Sequence, residues 1–145
     1  MADLDFSAAV ADWVKQSKEA VEAVFHRSAD LVGEAVMQGT PIDTGFLVHS
    51  FQASASEMPS IKKGSKPNVN AGPGSYTFDK GPINLVIQGV PLGNPIYLGF
   101  TAEYAPYVEY GANGRAGRGM VRLAAQRWQG IVNQAVGELR AASGK

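Results

Sequence analysis

The sequence predicts an α+β fold: a long N-terminal helix, a small antiparallel β-sheet with long loops, and a C-terminal helix. Three observations point there. Apolar residues recur at three- and four-residue steps near both ends, short β-type runs lie between them, and 17 glycines and 8 prolines promise long connections. At 145 residues the chain has the length of a single domain, 1–145, able to bury a core without disulfides or metal.

From Phe6 to Val36, apolar residues including Val10, Trp13, Val14, Val21, Leu31 and Val32 trace one helical stripe. Asp5 or Ser7 is expected to cap its start, and Gly39 with Pro41 to end it. A helix of about 32 residues would run ~48 Å, longer than the roughly 40 Å width of such a domain. It must therefore bend near Gly33 or project at one end. Phe51 to Ala55 alternates as a first strand, and Ile83–Gln88 and Ile96–Thr101 are expected as two more, joined by the turn-prone 89–95 stretch. Between the first two strands, residues 59–82 are rich in Gly, Pro, Ser, Asn and Lys without periodicity. A loop of that length inside a domain is expected to be mobile or ordered by a partner. Met120 to Ala142 repeats apolar residues as the second amphipathic helix.

Composition excludes several chemistries. Cysteine is absent, which removes disulfides, thiolate nucleophiles and thiolate metal sites. No apolar run approaches the roughly 18 residues of a membrane span, so no membrane partner is expected. His26 and His49 have no ligand partners at metal spacing, and the glycine-rich stretches 72–74 and 111–119 lack the Gly-Lys-Ser/Thr of a phosphate loop. No metal or cofactor is expected. Charge sums to zero but is lopsided: residues 1–57 hold nine acids against three bases, and the remainder ten bases against four acids. Such a molecule suits stacking with its own copies or with a charged partner.

The fragment Thr40-Pro41-Ile42-Asp43-Thr44-Gly45-Phe46 contains the Asp-Thr-Gly of an aspartic protease. In that enzyme the aspartate sits between buried strands and faces a second aspartate. Here a helix end precedes it and bulky Phe46 follows. Pro41, Asp43, Thr44 and Gly45 are therefore assigned to a structural turn, with Asp43 expected to cap the backbone N–H groups that follow it. A hydrolase using Asp43 remains the remote alternative. Lys62, Lys63 and Lys66 in the first long loop, and Arg115, Arg118 and Arg122 before the last helix, are candidate contacts to DNA phosphates or to an acidic protein partner. No aromatic residues interleave them as a base-stacking platform, so sequence-specific recognition is not expected.

A second fragment, Ala102-Glu103-Tyr104-Ala105-Pro106-Tyr107-Val108-Glu109-Tyr110-Gly111, taken with Thr40–Leu47 and the closing helix, resembles the tail-completion or neck (head-tail joining) proteins of long-tailed, lambdoid-type bacteriophages. The likeness follows a Pro-Val/Ile-Asp-Thr-Gly-x-Leu motif and a Tyr-Ala-x-Tyr-Val-Glu-x-Gly motif in the same order over most of the chain. It departs at Phe46 and Val48, where such proteins often carry arginine. The resemblance implies a non-catalytic virion protein that forms a ring, hexameric or dodecameric, at the head-tail junction. The implied partners are other copies of itself, a head connector or portal-associated protein, a tail terminator or tail tube protein, and nonspecifically the genomic DNA. Synthesis in the host cytoplasm is implied, and a tail terminator or head-completion connector is the near alternative. Tyr104, Tyr107, Glu109 and Tyr110 are the candidate subunit interface, with one of the three tyrosines expected to be exposed. Phe46 is expected in the core.

Overall fold

The computed structural model describes residues 2–142 and bears out the α+β class. Helix α1 (Ala2–Gly39) is followed by the single turn α2 (Phe46–His49), strand β1 (Phe51–Ser54), helix α3 (Gly81–Gly89) and strand β2 (Tyr97–Phe100). Then come helix α4 (Ala105–Tyr110), the short strands β3 (Gly111–Ala112) and β4 (Arg115–Ala116), and helices α5 (Met120–Gln126) and α6 (Trp128–Ala142).

The helix α1 begins before either expected cap, so Ser7 lies inside it, and the side chain of Asp5 lies outside the described residues. Its stop is the expected one: Gly39 is the last helical residue, and the Thr40 hydroxyl donates back to the Val36 carbonyl at 2.7 Å. At about 57 Å the helix outruns the body, and residues 6–16 are all exposed. The excess length is resolved by projection of the N-terminal end.

The main core gathers Val36 of α1, Leu47 of α2, Ile83 and Ile87 of α3, Met120 and Ala124 of α5, and the facing rings of Phe51 and Phe100. Those two rings pair across the antiparallel β1–β2 ladder in direct register, centroids 4.9 Å apart. A second, smaller seam packs Leu31 of α1 on Ile131 and Ala135 of α6. Above it, Arg27 bridges Asp30 at 2.7 Å and Glu138 at 2.6 Å, tying α1 to α6.

Two expected elements differ. Residues 83–88 form helix α3 and not a strand, so the meander reduces to a two-stranded sheet plus the β3–β4 hairpin. The reason is the spacing of what is buried: Ile83 and Ile87, four apart, face the core while Leu85 is 77% exposed. Pro82 sits in the first turn, where its missing N–H costs nothing. Lys80 anchors the start of this helix to Asp30 and Glu34, and the His26 Nε2–H donates to the Val90 carbonyl at 2.6 Å to anchor its end. The C-terminal helix breaks at Arg127, whose backbone leaves the helical range. The break lets Met120 and Ala124 face the main core while Ile131 and Ala135 face α1.

The long loop, expected to be mobile or ordered by a partner, makes hydrogen bonds to the body. Lys62 N–H donates to Thr101, Gly74 N–H to Asp43 and Tyr76 N–H to Thr44, at 2.8–2.9 Å. The Gly64 N–H donates to the Glu103 carboxylate at 3.0 Å, and Met58 lies over Gly99.

Candidate interaction surface

The two fragments singled out in the sequence fold against each other. Gly45 adopts a left-handed φ of 88°, and a Cβ there would collide with the Tyr76 carbonyl oxygen, so only glycine fits. The Thr44 hydroxyl, not the Asp43 carboxylate, accepts the Phe46 N–H at 3.1 Å. This corrects the assignment of Asp43 as the cap: no hydrogen bond to its carboxylate exists among the described residues, and its backbone carbonyl makes the link to Gly74. Phe46 is half-buried against the main core, edge-on to Tyr76 at 5.1 Å and stacked near Tyr104 at 6.2 Å. It is the wedge that joins the two fragments.

Between them runs a cleft in two connected lobes that share Pro41, Tyr104 and Val108. The smaller, about 300 Å³, is walled by the 41–47 turn and Pro67. The larger, about 650 Å³, is walled by Tyr107 and by the hairpin residues Asn113, Arg115 and Arg118. Asp43 is exposed at this turn, after a helix rather than between buried strands. Burial raises the pKa of the Tyr104 hydroxyl and the nearby Asp43 charge raises it further, so Tyr104 presents a neutral phenol to the cleft. Tyr107 and Tyr110 are exposed at 62% and 68%, one more than expected.

Glu109 does not belong to the surface. It is 6% exposed, and its carboxylate accepts the Val121 N–H at 2.9 Å, the Arg122 N–H at 3.0 Å and the Arg122 Nε–H at 2.9 Å. Burial pushes this carboxyl up, but the two backbone bonds and Arg122 together outweigh it and hold it below the usual range. Arg122 also donates to the Glu109 carbonyl and lies 4.7 Å over the Tyr110 ring. Glu109, expected from the sequence as an interface residue, is buried, and it pairs with Arg122, which stays 52% exposed, as a clamp between α4 and α5.

The hairpin between them carries the signal that the sequence reading passed over. Asn113 and Gly114 both have positive φ, 54° and 77°, the two-residue turn that Asn-Gly favours. It presents Arg115 and Arg118, both exposed and without an ion pair among the described residues. Lys62, Lys63 and Lys66 are likewise exposed. Their segment starts at Ile61, beside Tyr110, Pro106 and Val121 in an apolar notch of about 180 Å³, and ends at Pro67 in the cleft. The lysine segment therefore runs from the notch on one side of α4 to the cleft on the other, and the surface is basic and tyrosine-bearing. Ile61, Pro67, Pro106 and Val108 were not foreseen as part of it.

Among the described residues no group of three or more His, Cys, Asp or Glu could hold a metal ion. No helix among them is long and apolar enough to cross a membrane. No family model matches the chain, and no curated protein or solved structure is significantly similar to it.

Proposed function

We propose that the chain is a non-catalytic structural protein of a tailed bacteriophage particle, assembling as a ring at the head-tail junction so that the tail attaches. The observation that carries this reading is convergence. The two fragments on which the family resemblance rests, distant in sequence, line one cleft and are locked by Phe46. A glycine-dependent turn and a tyrosine-rich helix brought together on the surface suit a protein that docks on other proteins. A ring joins one face of a subunit to a different face of the next, and the lopsided charge, acidic in the first part of the chain and basic in the remainder, suits such unlike contacts.

In this reading the partners are further copies of the chain, a head connector or portal-associated protein, and a tail terminator or tube protein. Arg115 and Arg118 face either a partner or the phosphates of DNA in the channel. Quantitative peptide mass spectrometry of purified particles tests the assignment. On the order of six or twelve copies per particle is the expected result for a symmetric ring; absence, or hundreds of copies, overturns it. Reversing the charge of Arg115 and Arg118 is expected to lower head-tail joining or DNA retention, and no change in either removes these two residues from the contact.

A further inference from the structure

The two lobes of the cleft carry opposite charge. Arg115 and Arg118 wall the larger lobe, both exposed and without an ion pair among the described residues. Asp43 lines the smaller lobe, and its exposed carboxylate has neither a hydrogen bond nor an ion pair among the described residues. Neither arginine borders the smaller lobe, and Asp43 does not border the larger. The waist that the lobes share is formed by Pro41, Val108 and the half-buried, neutral phenol of Tyr104. Base, apolar waist and acid thus follow one another along one cleft.

Both walls are fixed by the chain itself. The hairpin is held to α4 by the Arg118 N–H on the Val108 carbonyl at 2.7 Å and by the Gly119 N–H on the Glu109 carbonyl at 3.1 Å. The turn opposite is held by the left-handed Gly45 and by the Asp43 carbonyl, which accepts the Gly74 N–H at 2.9 Å. A preformed cleft loses little freedom when it binds. Its chemistry selects the occupant. A nucleic-acid strand is negative throughout, so a strand following the cleft past the arginines would meet an apolar waist and then the Asp43 carboxylate. A polypeptide can change from acid to apolar to base from one side chain to the next.

We propose that this cleft binds an extended peptide segment of a partner protein, with a carboxylate at Arg115 and Arg118, an apolar side chain at the waist and a basic side chain at Asp43. The arginines supply forked donors that fit a carboxylate, and the Tyr104 hydroxyl offers a hydrogen bond to the peptide as it passes the waist. The opposite charges also set the direction in which the segment lies, because the reversed order would place base on base and acid on acid. The inference names the class of partner and rests on the docking role proposed above, but not on the ring or its place in a particle.

A displayed library of random heptapeptides, selected on the immobilised full-length chain, tests the proposal. The same selection is made on the double variant Arg115→Glu with Arg118→Glu, and on Asp43→Lys. All three positions are exposed, so circular dichroism is expected to be unchanged. On the wild type, the enriched peptides are expected to carry an acid and a base on either side of an apolar residue. The arginine variant is expected to lose the preference for the acid, and Asp43→Lys to exchange the preference for a base for one for an acid. In fluorescence anisotropy, the most enriched peptide is expected to bind the arginine variant about tenfold more weakly than wild type. No enrichment, or a pattern that either variant leaves unchanged, overturns the proposal. A single-stranded oligothymidylate that binds more tightly than that peptide, and displaces it, overturns it in favour of nucleic acid. Either failure leaves the head-tail assignment standing or falling on the copy number in particles, which is measured separately.

Discussion

Gly45 and Glu109 are the two residues on which the surface depends most. At φ 88° and against the Tyr76 carbonyl, Gly45 tolerates no side chain. Gly45→Ala is expected to destabilise the fold by about 1–3 kcal/mol, read as a lowered denaturation midpoint. Asp43 contrasts with it. Its exposed carboxylate caps nothing, so Asp43→Asn should change stability by no more than about 0.5 kcal/mol. Glu109 stabilises by clamping α4 to the first turn of α5, and Glu109→Gln, which sets an amide N–H against a backbone N–H, should cost about 1–3 kcal/mol. Its folded pKa is lowered, so the stabilisation is fully present above its unfolded value and is lost as pH falls through the folded one. The gap in melting temperature between wild type and Glu109→Gln should therefore be constant near neutrality and close in acid, below about pH 4. A gap that persists unchanged to pH 2.5, at about two units below the ordinary carboxyl value, would show that the clamp works by shape and not by charge.

At the scale of elements, α3 is the instructive case. An apolar run of six residues fits a strand or one face of a helix equally well, and periodicity cannot separate them over so short a span. What decides it is which positions find partners: Ile83 and Ile87 against the core, with ion pairs from Lys80 at one end and His26 on Val90 at the other. The two alternatives give opposite substitution patterns. In the helix, Ile87→Ala should cost about 2–5 kcal/mol while Leu85→Glu stays within about 0.5 kcal/mol; a strand would bury 83, 85 and 87 together and make both severe. Chemical denaturation of the two variants distinguishes them. The break at Arg127 likewise marks a change of partners, Ala124 joining the main core and Ile131 the seam against Leu31 of α1.

For the molecule as a whole, the projecting helix end lies outside the packed body. Residues 6–16 touch no core, so removing residues 1–16 is expected to shift the melting temperature by only a few degrees, corresponding to less than about 1 kcal/mol. Association of copies through the acidic first part and the basic remainder of the chain should weaken steeply between low salt and about 0.5 M salt, as the screening length falls below ~5 Å. Loss of folding on truncation would show instead that the stripe folds back on its own chain.

The sequence by itself determined the two terminal amphipathic helices, the β1 and β2 strands, the glycine stop of α1 and the turn around Gly45. Each is a local matter: periodicity over many residues, or a backbone geometry that one residue type alone accepts. The tertiary structure decided where the hydrogen-bonding and charged groups found partners. It gave the capping role near Asp43 to Thr44, buried Glu109 in a clamp with the exposed Arg122, and left Arg115 and Arg118 without an ion pair among the described residues. It also ended the burial of the α1 stripe partway along, because α6 covers only part of that helix. Polar partners and the extent of coverage are set by contacts between segments far apart in the chain, and no window of sequence contains them.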